Sequence, residues 1–315
     1  VITNEPSQQQ AAPLSNEPAG FPEQVVRDNL VPPDRETRRM RWREVRTAFL
    51  VWGSSLVFLI VIPAVVALPY IAYIWINHGP PTAEQLTNDK TLAFLSILGI
   101  VPTHLLTLGL VWVYVTQSGR RPFFKQPGFQ WPKDMSPFVT TALGVLLAFV
   151  LLAIGWGVTQ ILGGNKTQLD LLVESSLPAR FATAFAAVFT APLVEELIYR
   201  GVVYSALERA AGVSTAVMIV SLLFAGVHVF QYSNNIGVIV VITLLSITLT
   251  LARAYSGSVL PPFIIHLVFN GIQSLVLVLT PFIDKRLLEK GEQVTPTTPG
   301  LEILSHLFGY LWRMT

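Results

Sequence analysis

The chain has no cysteine. That absence excludes a thiol nucleophile, disulfide bonds and any cysteine-ligated metal. Charge is scarce as well: Asp, Glu, Lys and Arg make up 13% of the 315 residues, roughly half the share of a soluble domain. Acidic and basic residues nearly balance, leaving a formal net charge of +2. The strong basic footprint of a nucleic-acid-binding protein is therefore missing, and no nucleic-acid partner is expected. What the chain has in quantity is apolar side chains, 52% of the total, gathered in long runs. The fold class this implies is all-α: a polytopic membrane helical bundle of about seven to eight transmembrane or membrane-embedded helices, with the lipid bilayer as its first partner.

The order of segments follows from composition. Residues 1–33 are rich in Gln, Pro, Asn and Glu and read as a disordered cytoplasmic tail. Residues 34–46, DRETRRMRWREVR, carry six arginines and suit a short basic interfacial helix on an anionic leaflet. The N-terminal transmembrane helices occupy 47–162, with spans near 47–76, 92–116 and 137–162. Pro63 and Pro69 fall inside the first, which is expected to kink there and to act as a signal anchor. His104 in the second is expected to make a helix–helix hydrogen bond. Arg120, Arg121, Lys125 and Lys133 put the loop 117–136 on the same side as the basic N-terminus, the cytoplasmic side. A short amphipathic helix is expected around 168–175. A helical core over 180–282 then holds segments near 181–209, 213–230, 236–252 and 259–282. A C-terminal tail, 283–315, ends in an apolar stretch at 301–313 that is too short to span upright.

Within the core, Pro192-Leu193-Val194-Glu195-Glu196-Leu197-Ile198-Tyr199-Arg200 places two carboxylates and a guanidinium in an apolar run. Each such charge costs at least a few kcal/mol in a bilayer, so each needs a partner or a purpose. Glu196 and Arg200 are four apart, acid first, the favourable order for an ion pair along a helix. Glu195 lies about 100° round from Glu196 and needs a different partner. Glu195 precedes Gly212 by as many turns as His228 follows it, so two antiparallel helices would hold the pair level. A Glu beside a His, away from bulk water, can activate a water molecule. His266 and Asn270 share a helix face, and both can donate hydrogen bonds to one point, as an oxyanion hole requires. His266 lies only about 13 Å of helix from Gly257. Its helix must tilt, or its first turn must sit deep, to bring it to Glu195.

Three motifs now stand in order: Glu195-Glu196-x-x-x-Arg200, Phe224-x-x-x-His228 and His266-x-x-x-Asn270. Together, over about 180–275, they resemble the CPBP or Abi family of CAAX prenyl proteases and bacteriocin-processing membrane proteins. The resemblance implies an intramembrane endopeptidase, a hydrolase acting on a peptide or membrane-anchored protein substrate, in a bacterial inner membrane; the arginine-rich stretch 34–46 puts the N-terminus on the cytoplasmic side. It implies that Glu195 and His228 activate the hydrolytic water and that His266 and Asn270 form the oxyanion hole. Glu196, Arg200 and Phe224 would support the site.

The family has also been described as metalloproteases. Glu195, His228 and His266 offer one carboxylate and two imidazoles, a legitimate zinc set. Against zinc, the His-Glu-x-x-His signature is absent, and metal ligation would take His266 from the oxyanion hole. The expectation is a cofactor-free, glutamate-dependent mechanism, with the zinc-dependent protease as its alternative. Two other classes compete. An ion-coupled transporter would show inverted repeats, which the sequence lacks. A non-catalytic immunity or scaffold protein would tolerate loss of His266 and Asn270.

Overall fold

The computed structural model describes residues 34–123, 128–163, 170, 173–174, 176–229, 232 and 235–289. The tail at 1–33 and the apolar stretch at 301–313 lie outside the described residues, as does most of the short helix expected at 168–175. Contacts divide the chain into Val1–Met40 and Arg41–Thr315, and the packing that positions the site belongs to the second unit. Among the described residues there is no strand.

The helices are α1 (Arg35–His78), α2 (Ala83–Asn88), α3 (Lys90–Leu98), α4 (Ile100–Thr116), α5 (Pro137–Leu162), α6 (Leu177–Ala211), α7 (Val213–Val229), α8 (Ile236–Ser256) and α9 (Leu260–Glu289). Six rods are long and apolar enough to cross a membrane: α1, α3 with α4, α5, α6, α8 and α9. α7 is a shorter apolar helix. A helical bundle is the natural outcome, because each helix satisfies its own backbone where water is absent.

Helix ends follow local chemistry. Ser136 accepts from Val139 N–H at 3.2 Å ahead of Pro137, and Asp89 accepts from Thr91 and Leu92 N–H, each at 2.8 Å. Asn235 opens α8 by accepting from Val238 N–H at 3.0 Å. These caps satisfy donors that the first turn leaves free. Two starts differ from expectation. The basic stretch is not a separate helix: α1 begins at Arg35 and includes it, since no glycine or proline interrupts its strong helix formers. The second span divides at Gly99, where a Cβ would lie 2.6 Å from Pro63 Cα. Only glycine allows that approach between backbones.

α5 shows how the core closes in a medium where apolar burial alone gives little drive. Its buried residues are Thr140, Gly144, Ala148, Leu151 and Gly155, mostly small and spaced for one face. They form a groove for neighbouring helices. A Cβ on Gly144 would lie 2.9 Å from Ile264 of α9, and one on Gly155 would lie 3.1 Å from Val241 of α8. Ala148 and Leu151 join Leu245, Leu249, Ile265 and Phe269 in one apolar cluster. A second cluster gathers α6 residues such as Leu197 and Val203 with Val111 of α4 and Phe224 of α7.

The turn between α8 and α9 sits deep, as His266 required. Ser258 and Val259 are buried because the connection between α4 and α5 covers them. Val259 N–H donates to Gly128 O at 2.9 Å. The Ser258 hydroxyl bonds to Gly128 O at 3.2 Å and also to Gln130 O, while the Phe129 and Phe263 rings meet at 5.4 Å. α9 therefore starts inside the bundle, which shortens the distance its first turns must cover.

Candidate active site

α6 is not uniformly α-helical. It widens into π-helix at Ala186–Thr190 and again at Glu196–Val203, and both widenings can be traced to individual hydrogen bonds. At the end of the first, Ala191 N–H donates to Ala186 O, five residues back, and leaves Ala187 O without its α-helical donor. Pro192 has no N–H with which to replace it. The Asn270 amide of α9 takes the place, donating to Ala187 O at 3.0 Å. At the end of the second, Tyr204 N–H donates to Tyr199 O, which frees Arg200 O. The Arg253 guanidinium of α8 fills it through Nε at 3.2 Å. Insertions of this kind gather at functional sites. Here each presents a carbonyl to a neighbouring helix, and Glu195 and Glu196 lie between the two.

Glu196 and Arg200 are fully buried and joined at 3.1 Å. The guanidinium also donates through Nη2 to Ser246 O at 3.2 Å, Ser246 Oγ at 3.3 Å and Thr250 Oγ1 at 3.3 Å. It lies 4.7 Å from the centroid of the Phe224 ring. A charge sealed from water requires partners, and only Arg200 Nε and Glu196 Oε2 of the pair have none among the described residues. The other Glu196 contact is to His266, whose Nδ1 is 2.9 Å from Oε1. His266 turns its Nε2 to Glu195 Oε2 at 3.7 Å. One imidazole thus bridges the two carboxylates. The carboxylates differ in access: the Glu195 side chain is 24% exposed, that of Glu196 is 0%.

His228 sits at the last turn of α7. Its Nδ1 lies 2.8 Å from Phe224 O; a carbonyl only accepts, so Nδ1 carries the proton and Nε2 of the neutral ring keeps its lone pair. The His228 ring stacks on Phe224 at 4.6 Å, and Phe224 meets His266 edge-on at 5.9 Å. Phe224 is the shared wall between the two histidines and Arg200. No hydrogen bond or ion pair joins Glu195 to His228 among the described residues; Glu195 meets His266 instead. Tyr232, in the connection between α7 and α8, has its phenol pushed up to about 12, first by burial and then by the carboxylates of Asp170 and Glu195.

All seven residues singled out in the sequence meet in one region. Glu196, Arg200 and His266 are directly bonded, Phe224 packs on Arg200 and both imidazoles, and Asn270 reaches the first π turn. Ser246, Thr250 and Arg253 are the supporting side chains that sequence reasoning missed. Their signal was present as a polar stripe at four- and three-residue spacing in an apolar helix. Among the described residues no group of three His, Cys, Asp or Glu is placed to hold a metal ion.

The fold and the site define an integral membrane protein with a carboxylate–imidazole cluster buried in a helical bundle. Residues 177–272 match the family model described as Type II CAAX prenyl endopeptidase Rce1-like. The match spans all three motifs and bears out their resemblance to the CAAX protease family, a family of peptidases. Comparison with curated proteins and with solved structures gave no match.

Proposed function

We propose that the protein is an intramembrane endopeptidase in which Glu195 is the general base. The observation that carries this reading is the difference between the two adjacent carboxylates. Glu196 is sealed and committed to Arg200 and His266, whereas Glu195 is 24% exposed and bound only loosely, at 3.7 Å. A base must reach both a water molecule and the substrate carbonyl.

Glu195 takes a proton from water as the water oxygen attacks the scissile carbonyl carbon. The carbonyl π pair moves to oxygen, giving a tetrahedral oxyanion. Asn270 spends one amide N–H on Ala187 O and keeps the other for that oxygen. His266, with Nδ1 on Glu196, donates from Nε2 when the ring carries both protons. Collapse of the intermediate breaks the C–N bond, and the proton taken by Glu195 passes to the leaving amine. His228 Nε2, its lone pair left free because Nδ1–H donates to Phe224 O, accepts a hydrogen bond from the attacking water and so activates it together with Glu195. Glu196, Arg200 and Phe224 hold these groups in place. Prearranged donors of this kind commonly account for the largest share of rate enhancement.

On this reading no step needs a metal. The substrate is a peptide or the terminal segment of a membrane-anchored protein, presented in an inner membrane with the basic N-terminus cytoplasmic. The catalytic unit is 180–282, and 47–162 forms the surrounding wall. The test is cleavage of a fluorogenic peptide library by purified protein in detergent, with and without a chelator, beside Glu195→Gln. Activity that survives chelation and falls at least about a hundredfold in Glu195→Gln is the expected result. Activity lost to the chelator and restored by zinc overturns it.

A further inference from the structure

The turn that joins α6 to α7 marks one end of the bundle. Arg209, in the last turn of α6, pairs with Glu44 of α1 at 2.9 Å, and Arg41 donates to Arg209 O at 2.9 Å. The connection between α4 and α5 lies at the same end, over the start of α9, and its Arg120, Arg121 and Lys133 are exposed. Basic residues gathered at one end of a membrane bundle mark its cytoplasmic face. Glu195 stands about 21 Å of helix from Arg209, and His228 about 24 Å from Gly212, against a hydrocarbon layer roughly 30 Å thick. Both groups therefore lie in the half of the bilayer away from the basic end.

Burial along α6 shows which way the site opens. Every residue from 196 to 207 is buried, so over that length no face of the helix is open between Glu195 and the basic end. The base itself is closed by the Phe129–Phe263 contact and by the carbonyls of Gly128 and Gln130 over the turn before α9. In the other direction exposure returns at once: Glu195, Leu193 and Ala191 are half-buried, and Phe189 is 66% exposed. α4 meets α6 at this level through His104, whose Nδ1 is 2.7 Å from the Thr190 hydroxyl. That is the helix–helix bond expected of a lone histidine in a span. On the far side, His228 is half-buried and next to the end of α7. Tyr232 N–H donates to His228 O at 3.1 Å and Asn235 N–H to Tyr232 O at 2.8 Å, so α8 starts within two short turns of it. The start of α8 lies against the end of α5, where a Cβ on Gly237 would be 3.0 Å from Gly163 O. Both helices end on the face opposite the basic residues, and His228 is close beneath it.

We propose that the site opens on the extracytoplasmic face and that its substrate is a polypeptide segment exposed there, carried by an exported or membrane-anchored protein. A tail lying in the cytoplasm would have to pass the sealed length of α6 to reach Glu195. A segment on the other face meets Glu195 and His228 within a few turns of the surface. The substrate class depends on the peptidase reading; the position of the mouth does not.

Access and turnover test the two halves separately. His228→Cys and Glu195→Cys each place a single thiol at the site, since the chain has no cysteine of its own. In sealed right-side-out membrane vesicles a membrane-impermeant maleimide should label both variants. In inside-out vesicles the labelling should be lost until detergent opens the membrane. Labelling of sealed inside-out vesicles, or labelling only after the protein is unfolded, overturns the proposed mouth. Either variant decides the matter if the other fails to fold. Turnover is read with a highly charged fluorogenic peptide that the purified wild type cleaves, added to the same two kinds of vesicle. Right-side-out vesicles should cleave it as fast before detergent as after, and inside-out vesicles should cleave it only after. The reverse pattern overturns the inference and leaves the peptidase intact. A purified wild type that cleaves no more than Glu195→Gln overturns the peptidase reading and the substrate with it, while the labelling still decides the mouth.

Discussion

Replacing Glu195 by Gln removes a charge from a side chain that is 24% exposed, and replacing Glu196 by Gln removes one from a side chain that is 0% exposed. The two substitutions should therefore fail in different ways. Loss of the Glu196 charge leaves Arg200 buried with only neutral partners. Removing one member of a buried pair typically costs about 3–5 kcal/mol, and the Ser246 and Thr250 contacts soften that cost without cancelling it. Glu196→Gln is expected to lower the thermal midpoint by several degrees and to lower activity with it. Glu195→Gln is expected to keep the midpoint and lose the activity. Parallel melting curves and cleavage rates separate them, and a Glu195→Gln protein as unstable as Glu196→Gln would assign both acids a structural part.

At the scale of the element, α6 is shaped by a residue that helices usually avoid. Pro192 leaves Ala187 O open to Asn270 and lies three residues before Glu195. Pro192→Ala supplies an N–H and removes a cost of about 3 kcal/mol for proline inside a helix. The helix can then tighten towards α geometry and draw its carbonyls away from α9. The expected result is a protein at least as heat-resistant as the wild type but slower in turnover. Lower stability with unchanged rate would mean that the π turn serves packing and not the site. The Arg200 carbonyl presents the same device a few turns on: its partner Arg253 is in turn bonded to Ser205 Oγ at 3.2 Å and lies over the Tyr204 ring at 5.1 Å.

For the whole molecule, the apolar runs and basic loops set out the bundle in advance, since length and hydropathy determine where a helix can span. The motif residues were legible for a related reason: a charge or imidazole in an apolar run is conspicuous. What escaped was anything decided by a neighbour. The π turns depend on side chains of α8 and α9. The break at Gly99 depends on Pro63, and although the spacing of His266 called for a tilt or a deep first turn, the backbone carbonyls at Gly128 and Gln130 that hold that turn could not be named in advance. Orientation is open to direct test, because a chain without cysteine needs no background removal. A membrane-impermeant maleimide should label Glu84→Cys in intact cells and Lys133→Cys only after the membrane is opened. The reverse pattern would invert the assignment of sides.

Gly128 and Gln130 belong to a connection that precedes the matched stretch, yet they cover the turn from which α9 sets out. Thr190 inside that stretch is tied to His104 outside it, and α5 supplies the groove in which α8 and α9 lie. The stretch that carries the motifs is not a cassette. Grafted alone into another membrane protein, it would arrive with its histidine helix unanchored at one end and its widened helix gripped from one side only.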